Sequence, residues 1–175
     1  MITLKNGMLL TLRKAKKEDA AAIIPYLNQV GGESDNLLFG KNEFRLTIAD
    51  EEAFIERLEG SQTSALFIGL IEDEIVCVLS LMASPKPRIA HQADIALSVK
   101  KKFWHMGIAT AAMQHAIEFA RESGQIEILH LGVRADNERA ISVYERAGFT
   151  RIGLYPKFFK INGAYCDEIL MNLYI

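Results

Sequence analysis

Polar and apolar positions alternate with two different spacings along the chain, and the spacing predicts which segments are strands and which are helices. Short apolar runs bounded by turn residues indicate strands, and apolar positions three or four residues apart indicate amphipathic helices. The runs predict strands over residues 8–13, 64–71, 75–82, 90–99, 126–133, 149–155 and 165–173. The wider spacing predicts helices over residues 19–30, 50–58, 107–124 and 137–148.

Glycine and proline mark several ends of these elements. Gly31 and Gly32 end the first helix, and Pro25 inside it predicts a kink or a break. The pair Asn162-Gly163 predicts a tight hairpin between the last two strands. The resulting order of elements, β α α β β β α β α β β, predicts a mixed α/β (α+β) sheet domain.

Composition narrows the functional classes mainly by exclusion. The chain has 175 residues, of which 50% are hydrophobic and 24% are charged, so we expect one globular domain spanning residues 1–175. The net charge of −2 argues against a general nucleic-acid binder. No apolar run approaches the roughly 20 residues that cross a bilayer, so no membrane contact is expected.

The cysteines and histidines point to a reduced protein without a metal. Cys77 and Cys166 are far apart in apolar surroundings, which is typical of free thiols in a cytoplasmic protein. The N-terminus lacks the pattern of a secretory signal, which agrees with a cytoplasmic location. The four histidines show no spacing typical of metal ligands, so no metal is expected.

The segment around Gly107 is the first candidate for chemistry. A predicted strand ends, the basic run Lys100–Lys102 follows, and a long helix begins at Gly107. The first turn of a helix has about four N–H groups without partners at the positive end of its dipole, which suits a phosphate or pyrophosphate. Glycine lets a ligand approach the backbone closely. Taken alone, the segment is better explained as a strand-to-helix turn with solvated lysines.

A second candidate is the short helix that begins at Asn137. Asn137 is a good N-cap, and Tyr144 lies on the apolar stripe of the helix. Taken alone, this segment reads as a plain capped helix with a core aromatic.

The two segments together resemble the GNAT superfamily of acetyl-CoA-dependent N-acetyltransferases. The run Trp104–Ala109 is similar to the family loop Gln/Arg-x-x-Gly-x-Gly/Ala, and Asn137, Tyr144 and Gly148 stand in the register of the closing family helix, as do Ala140 and Phe149. Residues 12–19 resemble the opening strand and helix of the family. Residues 162–171 resemble the last hairpin of the branch with ribosomal-protein and phosphinothricin-type acetyltransferases.

Two positions depart from the family loop. Trp104 stands at the Gln/Arg position, as in many members of the ribosomal-protein branch. His105 stands where a glycine is usual, and its side chain would crowd the pyrophosphate or hydrogen-bond to it. Because backbone N–H groups form the cradle, we expect binding to survive.

The resemblance implies a mostly antiparallel sheet of about seven strands flanked by about four helices. It also implies acetyl-CoA as co-substrate, with the phosphates at the helix start and the amide-rich arm added like a strand to an open sheet edge. The implied cofactor-binding residues are Leu97, Ser98, Val99, Trp104, His105, Met106, Gly107, Ile108, Ala109, Thr110, Asn137, Ala140 and Tyr144.

The resemblance also implies roles in catalysis. Tyr144 is the expected general acid for the departing thiolate, and Asn137, seven residues earlier, faces the same side of the helix. Asp94 is the expected general base, directly or through water, unless it is only a solvated carboxylate on the sheet. Glu33 and Asp35 are candidates for binding a cationic acceptor.

The acceptor is a primary amine whose identity stays open in the sequence. It is a small molecule or a peptide: a protein N-terminus, an amino acid, a polyamine or another small amine. A homodimer is possible. The alternative to an enzyme is a non-catalytic acyl-CoA-binding sensor or regulatory module, against which the retained Tyr144 argues.

Overall fold

The computed structural model describes all 175 residues, and eight strands form a single sheet in the order β1-β2-β3-β4-β5-β6-β8-β7. The strands are β1 (Ile2–Thr3), β2 (Leu9–Lys14), β3 (Ala65–Ile71), β4 (Glu74–Ala83), β5 (Gln92–Val99), β6 (Ile128–Arg134), β7 (Thr150–Ile161) and β8 (Ala164–Tyr174). The helices are α1 (Ala20–Gly31), α2 (Ile48–Leu58), α3 (Ile108–Ser123) and α4 (Glu138–Arg146). The mixed α/β fold with four helices is confirmed, and eight strands agree closely with the seven expected.

The pairing of β5 with β6 is the one parallel pairing in the sheet. It comprises three residue pairs, Gln92 with Ile128, Ala93 with Leu129, and Asp94 with His130. Beyond these pairs the only strand paired with β5 is β4, and the only strand paired with β6 is β8. The C-terminal halves of β5 and β6 therefore part and leave an opening in the sheet, which we call the gap.

The helices cover the two faces of the sheet unequally. The face that carries α3 and α4, here the α3 face, holds the larger core, with residues such as Met113, Leu129 and Met171 fully buried. The opposite face, here the α1 face, holds a smaller core under α1 and α2 around Ile23 and Ile68. Helices α1 and α2 pack mainly on β3 and β4, so no helix covers β6, β8 and β7 extensively on the α1 face.

Two details of the first half differ from the sequence expectation. Helix α1 runs continuously through Pro25, so of the expected kink or break the break is wrong. The ring of Pro25 lies on the exposed side of the helix, where the carbonyl that loses its partner remains open to water. The two-residue strand β1 was not predicted, because so short a run carries no periodicity.

The second half differs mainly at β7, which is longer than predicted. The strand continues through Pro156 to Ile161 instead of ending at Tyr155. It lies at the edge of the sheet, where a residue without an N–H is tolerated. The register shifts between Tyr155 and Phe159, and Lys157 has a φ of 58°. The tight turn at Asn162-Gly163 is confirmed, with positive φ at both residues. No helix of the structure is both long enough and apolar enough to cross a membrane.

A bidentate ion pair fixes the start of α1 to the end of β2. Arg13 donates two hydrogen bonds to Asp19, at 2.7 and 2.8 Å, and Asp19 also accepts the Lys16 N–H at 2.7 Å. These bonds hold the pKa of Asp19 below its usual value. The pair therefore anchors α1, and with it the loop that follows α1, to the sheet.

We expect Asp19→Asn to lower the free energy of unfolding by roughly 1 kcal/mol at neutral pH, since the pair is partly exposed. The folded-state pKa of Asp19 is lowered, so its stabilising contribution is present above the unfolded pKa and is lost as pH falls. Thermal melts should show that the Tm of the wild type and the Tm of Asp19→Asn converge as the pH falls below about 5. Glu56→Gln, which breaks the exposed pair with Lys17, should change Tm little. A difference in Tm between the wild type and Asp19→Asn that stays the same in acid would contradict this role of the ion pair.

Candidate active site

The edge of β5 that faces the gap presents free backbone groups. The Lys100 N–H donates to the Val76 carbonyl of β4 at 2.9 Å, and backbone groups alternate in direction along a strand. Leu97 and Val99 therefore direct their N–H and C=O groups into the gap. The Val99 carbonyl accepts the Trp104 indole N–H at 2.8 Å. What remains free is the backbone of Leu97 and the N–H of Val99, enough to pair with an extended amide chain.

Ser98 belongs to the other side of β5. Its backbone faces β4, and its carbonyl and hydroxyl both lie within hydrogen-bond distance of the Tyr26 hydroxyl, at 3.0 and 3.1 Å. The structure therefore places Ser98 on the α1 face, tied to α1, and not at the free edge with Leu97 and Val99.

Trp104 links the two sides of the gap. Two cations lie near its ring, the Lys101 ammonium at 5.9 Å and the Arg139 guanidinium of α4 at 5.8 Å from the ring centroid. Together with its bond to Val99, this position closes one end of the gap beside the start of α3. Arg139 is a candidate for contacting an anion there, and sequence reasoning missed it.

The start of α3 has the backbone geometry of an anion site. The first hydrogen bond of the helix runs from the Ala111 N–H to the Gly107 carbonyl at 3.0 Å, so the N–H groups of Ile108, Ala109 and Thr110 have no helical partner. Gly107 has a φ of 90°, and a Cβ there would meet no atom within 4 Å. The space in front of these N–H groups is therefore open, as a phosphate requires.

His105 adopts a conformation that favours glycine. Its φ is 68°, which explains why the family loop usually has glycine at this position. A non-glycine residue there costs about 1 kcal/mol. The side chain is exposed, while Met106 lies against the N-terminal hairpin through a 3.3 Å contact between its Sδ and Asn6 Nδ2.

Helix α4 presents one amide and one phenol. The Asn137 side-chain oxygen accepts the Ala140 N–H at 3.3 Å, which leaves its NH₂ group to donate to a ligand. Tyr144 lies two turns later and packs on the same core as Leu97 and Val99. No protein group hydrogen-bonds to its hydroxyl, and burial raises the pKa of Tyr144 to about 12. The phenol is therefore neutral and able to donate a proton at any physiological pH.

The α1 face of the gap is lined by polar side chains on three strands. Asp94 of β5 is paired in register with His130 of β6, and its carboxylate is exposed. His130 Nδ1 lies 2.7 Å from Asn172 Oδ1 on β8. Because an amide oxygen only accepts, Nδ1 carries a proton and donates it to Asn172. Glu168 of β8 lies farther along the same face. His130, Asn172 and Glu168 were missed, because only strand register brings them together.

The loop between α1 and α2 spans the gap on this face. The Glu33 carboxylate accepts the Lys101 N–H at 2.6 Å and a bond from Gln29 at 2.8 Å. The Asp35 carbonyl accepts a bond from Arg134 of β6 at 2.9 Å. Glu33 is thus engaged in anchoring the loop, whereas the Asp35 carboxylate is exposed. Of the two residues expected to bind a cation, only Asp35 has a free side chain.

Comparison with known proteins identifies the fold and its chemistry. A model of the Acetyltransferase (GNAT) family matches residues 35–149. The L-amino acid N-acetyltransferase AaaT of Escherichia coli is 28% identical over 130 residues, which are 74% of this chain and 80% of that protein.

Two solved structures are similar over nearly the whole chain. A GNAT-family acetyltransferase from Streptococcus pneumoniae has a TM-score of 0.93 and 27% identity, covering 95% of this chain and 100% of the other. YncA from Salmonella typhimurium, solved with acetyl-CoA, has a TM-score of 0.82 and 17% identity, covering 94% and 93%. At that lower identity the likeness concerns the fold.

Two glycines at opposite ends of α3 allow a matched test of the anion site. Gly107 and Gly124 both have positive φ, and a Cβ on either would meet no atom within 4 Å. Alanine at either position should therefore cost a similar free energy of unfolding, about 1 kcal/mol. We expect Gly107→Ala to weaken coenzyme A binding at least tenfold and Gly124→Ala to leave it unchanged, as measured by calorimetry. Equal affinities in the two variants would place the phosphates elsewhere.

Proposed function

The chain belongs to the GNAT family of acetyltransferases, and from this premise we propose that it moves the acetyl group of acetyl-CoA to a primary amine by direct attack within a ternary complex. The observation that carries the proposal is the Tyr144 phenol on α4, which packs against the same core as Leu97 and Val99 and whose hydroxyl has no hydrogen-bond partner in the protein. A phenol kept neutral and unpaired is suited to protonating a leaving thiolate.

The cofactor is proposed to lie along the gap from α3 to α4. Its phosphates would accept bonds from the free N–H groups at the start of α3, and its amide arm would pair with Leu97 and Val99. The Asn137 NH₂ group would donate to the same arm. Holding the thioester beside the amine turns a bimolecular reaction into a positioned one, worth up to about 7–11 kcal/mol.

The acceptor amine is proposed to enter from the α1 face. An alkylammonium ion is not a nucleophile, so a group on that face must take its proton before attack. Asp94 is the candidate from the sequence, and its place beside the gap supports a role in receiving the amine. The exposed Asp35 carboxylate is the other group there that would favour a cation. Amino acids, polyamines, other small amines and protein N-termini all carry such an ammonium group.

Two sequence predictions stay predictions: the cytoplasmic location and the homodimer. The second draws support from the β7–β8 arm, which lies at the sheet edge and is largely exposed. Its exposed apolar side chains are Ile152, Leu154, Tyr155, Phe158 and Tyr165. Analytical ultracentrifugation would decide this prediction.

Release of free coenzyme A distinguishes an enzyme from a non-catalytic sensor. The chain incubated with acetyl-CoA and a panel of amines (an L-amino acid, spermidine and a peptide with a free N-terminus) should liberate free coenzyme A with at least one of them. Saturating acetyl-CoA should also raise Tm, since ligand at about 100 times its dissociation constant stabilises by about 2.7 kcal/mol. A raised Tm without any thiol release would favour the acyl-CoA sensor.

We expect Tyr144→Phe to lower kcat by about 10²–10⁴, with little change in acetyl-CoA affinity or Tm, because it removes only the proton donor. Tyr165→Phe, on the exposed arm, should leave kcat unchanged. Since the pKa of Tyr144 is raised to about 12, wild-type kcat should show no loss from tyrosine ionisation between pH 7 and 10. Unaltered kcat in Tyr144→Phe, or a loss of Tm that matches the loss of activity, would contradict the role of the hydroxyl.

A further inference from the structure

Glu168 extends its carboxylate from β8 across β6 toward the gap. Its register partners are Arg134 on β6 and Tyr155 on β7. The carboxylate does not stay between them but lies over Gly132, where a Cβ would overlap it. Gly132 belongs to the part of β6 that has no β5 partner, so this carboxylate lies at the border of the gap on the α1 face.

The cation opposite Glu168 does not neutralise it. The Arg134 guanidinium is bonded to Asp136 at 2.7 and 2.9 Å and to the Asp35 carbonyl at 2.9 Å, and it packs over the Phe159 ring at 5.6 Å. No hydrogen bond or ion pair reaches the Glu168 carboxylate. A half-buried carboxylate without a partner is destabilising, and folds seldom keep one without a use.

The surroundings of Glu168 make it a stronger base than a carboxylate in water. Burial raises the pKa of Glu168, and the charge of nearby His130 opposes the rise. The other charged or titratable side chains near Glu168 on this face are Asp94 on β5, Arg134 on β6, Cys166 on β8, Tyr155 on β7 and Asp35 on the loop. The Asp94 carboxylate is exposed, whereas that of Glu168 is half-buried.

We propose that Glu168 is the catalytic base that takes the proton of the acceptor ammonium, an assignment that rests on the proposed function. The ammonium gives one proton to the Glu168 carboxylate, and the freed nitrogen lone pair forms the C–N bond to the thioester carbon. The C–S bond breaks with its electron pair on sulfur, which takes the proton of the Tyr144 hydroxyl. The second proton lost by nitrogen returns Tyr144 to its neutral form, and Glu168 releases its proton to water.

This assignment places acid and base on opposite faces of the sheet. Tyr144 approaches the gap from α4 on the α3 face, and Glu168 approaches it from the α1 face. The first proton of the ammonium and the departing thiolate are therefore handled by different groups on different sides of the sheet. Asp94 would then contribute negative charge that draws the ammonium toward the gap.

The test compares Glu168→Gln with Glu51→Gln on two nucleophiles. Glu51 is a matched control, since it is a buried carboxyl on α2 with a raised pKa, no ion pair and no place at the gap. The first nucleophile is whichever alkylamine of the panel the wild type acetylates. The second is an O-alkyl hydroxylamine, which is already neutral at pH 7 and needs no base.

We expect Glu168→Gln to lower kcat/KM for the alkylamine by about 10²–10⁴ and for the hydroxylamine by less than tenfold. Glu51→Gln should change neither. The acetyl-CoA-induced rise in Tm should be equal in all three proteins. The acid limb of the wild-type pH profile, displaced above the usual carboxyl range, should be lost in Glu168→Gln.

Several outcomes would overturn the assignment. Equal losses for both nucleophiles would mean that Glu168 only shapes the site. Full activity of Glu168→Gln, or the same nucleophile-selective loss in Asp94→Asn alone, would assign the proton transfer to another group. A wild type that releases no thiol with any amine overturns the proposed function and this assignment with it, whereas an active wild type with an unaffected variant overturns the assignment alone.

Discussion

The early end of the parallel pairing between β5 and β6 is the constraint on which the site depends. Two strands that part after three residue pairs leave backbone groups unsatisfied on both sides, which is costly inside a sheet. One of these groups is satisfied within the protein, because the Trp104 indole N–H donates to the Val99 carbonyl. The backbone groups that stay free on β5 suit a ligand with amide groups. The helices that follow the two strands, α3 and α4, supply an anion site and a proton donor at the two ends of the gap.

Sequence reasoning identified the features that depend on a few neighbouring residues. The α3 start was visible because Gly107 follows a basic run, and the α4 cap because asparagine precedes an apolar stripe. The type of turn at Asn162-Gly163 depends on two residues alone. Family resemblance then joined these local features into one expected cofactor site. In the fold, α3 follows β5 and α4 follows β6, the two strands that part at the gap.

Sequence reasoning could not identify side-chain contacts that depend on the register between paired strands. His130 meets Asn172 from a distance of 42 residues, and Glu168 lies over Gly132 only because β8 pairs with β6 in one alignment. Glu33, which the sequence offers as a candidate for binding a cationic acceptor, accepts the Lys101 N–H across 68 residues, a contact that no local pattern predicts. The length of β7 was missed because a proline is tolerated only at an edge, and edges are a property of the whole sheet.

The central claim is that the gap is the acetyl-CoA site, and amide hydrogen exchange along β5 tests it most directly. In the free protein the Leu97 and Val99 amides, which face the gap, should exchange quickly, whereas those of Ala96 and Ser98, bonded to β4, should be protected. Saturating acetyl-CoA should slow exchange at Leu97 and Val99 at least tenfold and leave their neighbours unchanged. Protection that appears elsewhere in the chain while Leu97 and Val99 continue to exchange freely would contradict the account.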